Sequence, residues 1–438
     1  MLSGMANAVL KHSIKVPRLY KSAAVVLTQV KAGNNVKSVI DKIKHPNKKG
    51  IMALVSKTMR YDKTIEDIFK NTKILTKEEN MDENLAAILV TELLWGKKLL
   101  QGDSKPVQTI MKYKEILASA VESDKLIDDE QCLQTSWRPR YVRINTIQHR
   151  PDAVINYFKK NAWTMLRTPE TYVDYIELIK SNLKDAKFIR DYHMEEVLLF
   201  PFGTVFAENN MYRNGSFVLQ DKASCMATRV LSPEPGSTIL DMCAAPGMKT
   251  THLAAHIKNQ GKIFAVERDK TRFVTLKEMV RRCKAKCVTP IQSDVFLAKL
   301  DRSKIEYILL DPSCSGTGML TRNDQEENKT EEKPMKKRLK GLSNLQGKLL
   351  RHALTDFPFV KRVVYSTCSI HAEENEKVVE EALSYTHNFK LVDCPKMFKN
   401  WTSVGLPEYS FGENCIRTVS DIDCTNGFFI AAFERKVS

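Results

Sequence analysis

The feature that most constrains this chain is a series of short apolar runs, each closed by a small or chemically reactive residue. They fall at 238–241, 262–267, 288–292, 305–310, 362–366, 390–392 and 428–434, and helical stretches separate most of them. Runs this short, recurring between amphipathic segments, predict strands buried on both faces in a doubly wound α/β sheet. Such sheets bind ligands beyond the carboxyl ends of their strands. The residues just after each run therefore bear on function.

Ile239-Leu240-Asp241-Met242 passes directly into Cys243-Ala244-Ala245-Pro246-Gly247-Met248-Lys249-Thr250 and then into a helical stretch, 251–258. Small residues allow a backbone to approach a ligand closely, and a helix amino terminus favours an anionic group. Neither G-x-G-x-x-G nor G-x-x-x-x-G-K-[ST] is present, which counts against dinucleotides and nucleoside triphosphates. Glu267 ends the next strand, 26 residues after Asp241, where a carboxylate can hold both hydroxyls of a ribose. Asp294 follows the third strand, placed to accept from an adenine amino group. Cys314, in Asp311-Pro312-Ser313-Cys314-Ser315-Gly316, and Cys368, in Tyr365-Ser366-Thr367-Cys368-Ser369, each follow a predicted strand. A single buried cysteine is usually packing. Two at strand ends, downstream of a ligand-binding turn, point to a cofactor enzyme with a cysteine nucleophile.

The 438 residues exceed one ordinary core, so two or three domains are expected. A 43% hydrophobic and 27% charged composition is that of a globular protein. No run reaches the roughly 18 apolar residues of a membrane helix; the best, 85–95, is short, carries Glu92 and reads as a core helix. Lys and Arg exceed Asp and Glu by 16, a surplus that attracts nucleic acid. The ten cysteines lack the spacing of a disulfide scaffold, and no second pair accompanies Cys283 and Cys287 to build a zinc site, so no metal is expected. Cys132, Cys225, Cys243, Cys283, Cys287, Cys394, Cys415 and Cys424 read as structural, Cys243 lying within the ligand turn.

Residues 1–17 form a basic extension, and 1–40 contain no acid, which partly mimics a mitochondrial transit peptide without its usual arginines. A helical domain is expected over 18–121. There Leu85, Ile88, Leu89 and Leu93 keep the 3.6 period, Asp82 is a possible cap, and Lys57, Arg60 and Lys63 read as a solvated face. A polar linker, 122–135, precedes a small α+β module, 136–203. Its strand Arg138-Pro139-Arg140-Tyr141-Val142-Arg143-Ile144-Asn145-Thr146 carries basic positions suited to guiding an RNA backbone, and Pro151 opens a helix. The α/β domain fills 204–438. Within it, 321–340 is charged and nearly devoid of apolar residues, so a mobile surface insertion is expected. Lys222 and Arg213 lie either at an RNA entrance or on a solvated surface.

From Gln220-Asp221-Lys222-Ala223-Ser224 through the Asp-Met-Cys-Ala-Ala-Pro-Gly-Met-Lys-Thr, Asp-Pro-Ser-Cys-Ser-Gly and Ser-Thr-Cys-Ser segments to Asn426-Gly427-Phe428-Phe429, the chain resembles the Sun-domain RNA cytosine-C5 methyltransferases. It is most similar to the fifth, large-subunit rRNA branch of that family, over about 18–436. The resemblance implies a Rossmann-like class I S-adenosylmethionine-dependent methyltransferase domain behind an RNA-binding module and a helical domain. It implies S-adenosylmethionine bound by Cys243, Ala244, Ala245, Pro246, Gly247, Met248, Lys249, Glu267, Arg272, Asp294 and Asp311. Met248 stands where the family usually has a second Gly, narrowing the space beside the methionine moiety, and Ser313 replaces the usual Pro before the cysteine.

Cytosine C5 is a poor nucleophile until a thiolate adds to C6 and breaks aromaticity, and a thiol needs a positive neighbour to ionise near neutrality. Lys249 and the cofactor sulfonium are candidates for that charge. By the resemblance, Cys368 attacks C6, Cys314 assists release of the covalent adduct, and Asp311 binds cytosine N3 or its amine. The expected partner is large-subunit rRNA, single-stranded or locally opened so that the base can leave its stack, together with pre-ribosomal proteins and no membrane. A monomer in the nucleus and nucleolus is expected, ahead of the mitochondrion. A non-catalytic rRNA-binding assembly factor, or a methyltransferase acting on tRNA or mRNA, are the alternative readings.

Overall fold

Asp82 caps the helix Glu83–Leu94, accepting from the Leu85 amide at 2.7 Å, as its position predicts. Residues Ala86 to Leu93 of that helix are all buried, Glu92 included, so it is a core helix rather than an amphipathic one. It lies within the first of two compact units, which divide at Gln134 and Thr135. The computed structural model describes residues 15–32, 36–123, 138–319 and 332–436. Cys132, most of the expected linker and most of the basic extension lie outside them. In the first unit, helices Arg18–Lys31 and Lys48–Arg60 bury Ala23, Val26, Leu27, Ile51 and Val55 around Glu83–Leu94. Lys57 departs from the expected solvated face: its Nζ caps the Trp95 carbonyl. Lys63 is exposed, as expected.

The second unit holds two sheets. The smaller has the order β2-β3-β4-β1-β5, with β1 Arg140–Ile144, β2 Thr164–Met165, β3 Lys187–Arg190, β4 Val197–Phe200 and β5 Phe217–Leu219. β5 lies past residue 203, where the sequence pattern ended this module. It pairs with β1 and adds Phe217 to a cluster in which Phe158 meets Phe188, Phe200, Phe206 and Phe217 at 4.7–6.1 Å between centroids. Three residues are too few to display an alternating pattern, which is why the sequence did not reveal the strand.

Of the basic residues in and just before β1, Arg140 is exposed, but Arg138 and Arg143 do not line a groove. Arg143 is fully buried, with Nε donating to Gln220 Oε1 at 2.7 Å and Nη2 to Thr251 Oγ1 at 3.1 Å. Arg138 is also buried and donates to Asn426 at 2.7 Å. Asn145 Nδ2 bonds the carbonyls of Gly215 and Cys283 at 2.9 and 2.8 Å. These side chains join the small sheet to the larger one, because a buried guanidinium must find acceptors and the neighbouring layer supplies them. Lys222 is likewise no part of an RNA entrance. It is 1% exposed, ion-paired to Asp191 at 2.9 Å and set 5.0 Å from the Tyr172 ring centroid. Arg213 is exposed and engages Glu208 and the Ala207 carbonyl.

The larger sheet has the order β11-β13-β10-β9-β6-β7-β8, and β12 pairs with β13. Its strands are β6 Thr238–Asp241, β7 Lys262–Glu267, β8 Val288–Gln292, β9 Tyr307–Leu310, β10 Arg362–Thr367, β11 Phe389–Leu391, β12 Ile416–Thr418 and β13 Phe428–Arg435. All seven predicted strands are present, and only the three-residue β12 was not foreseen. β6 through β10 pair in parallel and β13 runs antiparallel to β10. The chain steps outward from β6 to β7 and β8, then returns at β9 on the other side of β6. The ligand crevice of an open sheet forms at that reversal.

Of the expected mobile insertion, 321–331 lies outside the described residues, and 332–340 correct the expectation. They begin a helix, Glu332–Thr355, seated by buried Leu339, Gln346, Leu350 and Ala353, which follow a helical period along one side. Charged residues dominate its first turns, so the apolar signal starts too late for the sequence pattern to show.

A buried polar link also joins the two sheets. His252 Nε2 meets Glu196 Oε1 at 3.1 Å, and burial pulls the imidazole down to about 4. The unfolded chain takes up that proton near 6.5, so folded stability is full above this value and declines as pH falls towards 4. Between pH 7 and pH 5 the expected loss is about 2 kcal/mol. Urea melts of the wild type at both values check it, and His252→Gln should reduce the difference by that share, His193, which burial also pulls down to about 4, keeping its own.

Candidate active site

β9 and β10 run in parallel with Tyr365 opposite Leu310, so the loops that follow them emerge side by side. Cys314 and Cys368 meet there with their sulfurs 3.2 Å apart. That is well beyond a disulfide bond of about 2.05 Å, so the pair is two thiols in contact. Asp311 sits between the same strand ends. Its Oδ1 accepts from Ser366 Oγ at 2.9 Å and its Oδ2 from Lys249 Nζ at 2.8 Å. Lys249 lies in the first turn of the helix Met248–His256, with Nζ 5.0 Å from the Phe428 ring centroid. Burial lowers the affinity of Lys249 for its proton, but Asp311 outweighs burial and the ammonium is held above its ordinary value. Lys249 thus stays cationic beside the thiols.

The backbone around the thiols is tightly fixed. Gly318 N donates to the Cys368 carbonyl and Gly427 N to the Gly318 carbonyl, both at 2.9 Å. A Cβ on Gly318 would stand 2.0 Å from the Gly427 oxygen, so glycine is required at that crossing. Asp221 holds the segment before Gly427 by accepting from Thr425 Oγ1 at 2.6 Å and from the Asn426 amide.

An open cleft reaches Ser313, the residue before Cys314, and is lined also by Cys243, Glu267, Arg272, Asp294 and Phe296 among others. Val266, Leu345 and Leu349 add apolar wall, while Glu267 and Asp294 supply carboxylates at successive strand ends. This donor set fits a nucleoside-bearing cofactor, with carboxylates for ribose hydroxyls and an adenine amine. Of the expected cofactor residues, Cys243, Glu267, Arg272 and Asp294 are brought together here. Arg272 also bonds the Ala245 carbonyl at 2.5 Å, bracing the turn. Ala244, Ala245 and Gly247 are buried in that turn, Pro246 is exposed, and Met248 is half-buried. Gly247 has φ of 100°, and a Cβ there would press on Leu276 at 3.0 Å. Burial and the acids Asp241, Asp311 and Glu267 push the Cys243 thiol up strongly, which agrees with a structural role. Burial also lifts Asp241 to about 7 against its 2.7 Å bond from Thr250.

Sequence reasoning missed Ser366, Gln346 and Glu374. Ser366 stands two residues before Cys368, and its neighbourhood was a usable signal. Among the described residues, no group of three or more His, Cys, Asp or Glu could hold a metal ion, and no helix is long and apolar enough to cross a membrane.

Comparison with known proteins bears on this geometry. Residues 228–434 match the family described as 16S rRNA methyltransferase RsmB/F. Residues 138–220 match the ferredoxin-like domain, and 49–128 the N-terminal domain, of NOL1/NOP2/Sun domain family member 5. The chain is 38% identical to a 28S rRNA (cytosine-C(5))-methyltransferase of Drosophila melanogaster, over 97% of this chain and 98% of that one. The chain belongs to the member 5 family of Sun-domain rRNA (cytosine-C5)-methyltransferases. Other member-5-like relatives are a 28S enzyme of Mus musculus, 38% identical over 95% of this chain and 91% of the relative, and the 25S enzyme rcm1 of Schizosaccharomyces pombe, 35% over 94% and 90%. The fold is also that of a methyltransferase homologue from Pyrococcus horikoshii, at a TM-score of 0.54 and 22% identity over 85% of this chain and 99% of that one. The ferredoxin-like match ends at 220 and so takes in β5, in agreement with the sheet rather than with a boundary at 203.

Proposed function

We propose that this member of the Sun-domain family forms 5-methylcytosine in large-subunit rRNA, with Cys368 as nucleophile and Cys314 as the proton acceptor at release. The observation that carries the reading is the contact of two thiols, 3.2 Å apart, beside the Lys249–Asp311 pair at the sheet's switch point. S-adenosylmethionine, when bound, supplies an electrophilic methyl group. Cys243, Glu267, Arg272, Asp294 and the turn through Lys249 would hold it.

The Cys368 thiolate forms a bond to C6, and the C5–C6 electron pair becomes available at C5. Asp311, oriented by Ser366 and Lys249, holds the cytosine N3 or amine edge and stabilises the protonated adduct. After C5 has taken the methyl group, Cys314 removes the C5 proton, the double bond re-forms and the Cys368 sulfur leaves. The base must be out of its stack to reach this site, so the RNA is single-stranded or locally opened there. The enzyme acts as a monomer in the nucleus and nucleolus, where pre-ribosomal particles offer the RNA. The net charge of +16 and the 28S and 25S relatives support an rRNA substrate.

Purified protein, isotopically labelled S-adenosylmethionine and protein-free large-subunit rRNA from cells lacking the protein should yield labelled 5-methylcytidine on nucleoside analysis. Label in another nucleoside, or transfer only to tRNA, would overturn the assignment.

A further inference from the structure

Glu374 follows Cys368 by six residues, in a 3-10 turn, Ala372–Glu374, and is fully buried. Its carboxylate accepts from the Ser315 amide at 2.9 Å, from Ser315 Oγ at 2.6 Å and from Gln346 Nε2 at 3.0 Å. Its own carbonyl accepts from Tyr365 OH at 2.5 Å. Ser315 is the residue after Cys314, and its hydroxyl lies 3.1 Å from that of Ser369, the residue after Cys368. Gln346 also donates to the Ser313 carbonyl at 3.0 Å, so the Cys314 loop is gripped on both sides of the thiol. The contacts are all from donors to the carboxylate, the pattern of an ionised acceptor.

Two sulfurs 3.2 Å apart cannot both ionise readily, so the pair carries one charge and its surroundings decide which sulfur bears it. We propose that Glu374 is a positioning residue that, by fixing a negative charge beside Cys314, directs the single ionisation of the pair to Cys368. The inference rests on the covalent reading above. Facing Cys314 are Glu374 from the turn, Asp311 from the end of β9, Tyr365 from β10 and Cys368 itself. Lys249, from the helix after β6, couples to Cys368, Asp311 and Asp241. The contact with Cys368, burial, and the charges of Glu374 and Asp311 all push the Cys314 thiol up. When Cys368 becomes a thioether, the largest of these influences is removed. Cys314 then becomes easier to deprotonate at the stage when it must take the C5 proton.

Alkylation by iodoacetamide reads the pair without RNA. A carbon–sulfur bond forms at the thiolate and iodide leaves, so initial rates at each cysteine, mapped by peptide mass spectrometry from pH 6 to 9, report its thiolate fraction. In the wild type, Cys368 should react at least about ten-fold faster than Cys314. Glu374→Gln keeps the size and an acceptor but removes the charge, and should reduce this ratio by about ten-fold, with the Cys314 profile moved to lower pH. Glu374→Asp retains the charge and should preserve Cys368 selectivity. A merely structural role would alter both cysteines alike and leave the ratio unchanged, and that result in a folded Glu374→Gln protein would overturn the proposal. Should that variant fail to fold, equal or faster alkylation of Cys314 in the wild type would overturn it instead. Failure here with intact methyl transfer would leave the functional assignment standing, whereas loss of the functional assignment would not alter the alkylation ratio.

Discussion

Cys368→Ala is expected to abolish methyl transfer, with a fall of at least about a thousand-fold in single-turnover rate, because no other group in the site replaces covalent activation of C5. The Cys314 sulfur is 3.2 Å from the lost nucleophile, but its loop is held by Glu374 and Gln346. The substitution removes one sulfur from a partly exposed position, so melting temperature should change little and cofactor binding should persist. Single-turnover transfer to rRNA, followed beside a thermal melt, separates lost chemistry from lost fold. A Cys368→Ala protein that still methylates cytosine would show that the nucleophile lies elsewhere.

Cys314→Ala should have the opposite appearance at the bench. Attack and methyl transfer proceed, but the C5 proton has no acceptor within reach, so the enzyme remains joined to RNA through the Cys368 sulfur. Turnover should drop about 100-fold or more, and a protein–RNA adduct stable to denaturing electrophoresis should accumulate. Nuclease digestion and mass spectrometry should place a methylated nucleotide on Cys368. The double variant should form no adduct. An adduct-free Cys314→Ala protein with near-normal turnover would remove Cys314 from the release step.

The residues that were legible in the sequence share a position: Glu267, Asp294, Asp311, Cys314 and Cys368 all close a short apolar run. Topology places such positions in the crevice once the strands pair in parallel. Charge was harder to interpret. Arg143 read as an RNA contact, and Lys222 as an RNA contact or a solvated surface, because a sequence shows charge without burial, yet each is buried and partnered by a residue 77 or 31 positions away, Gln220 and Asp191. Glu374 was not singled out as a site residue, since its donors Ser315 and Gln346 come from other segments. β5 and β12, three residues each, were too short to carry a period. The helix Glu332–Thr355 was obscured by its charged opening turns, whereas its later turns pack under the Cys314 loop and against the cleft.

The central claim is a modified base in a particular RNA, and bisulfite sequencing of total RNA from cells with and without the protein tests it most directly. At least one cytosine of large-subunit rRNA should resist conversion when the wild-type protein is present and convert when it is absent or carries Cys368→Ala. Identical large-subunit rRNA profiles in all three samples would contradict the account.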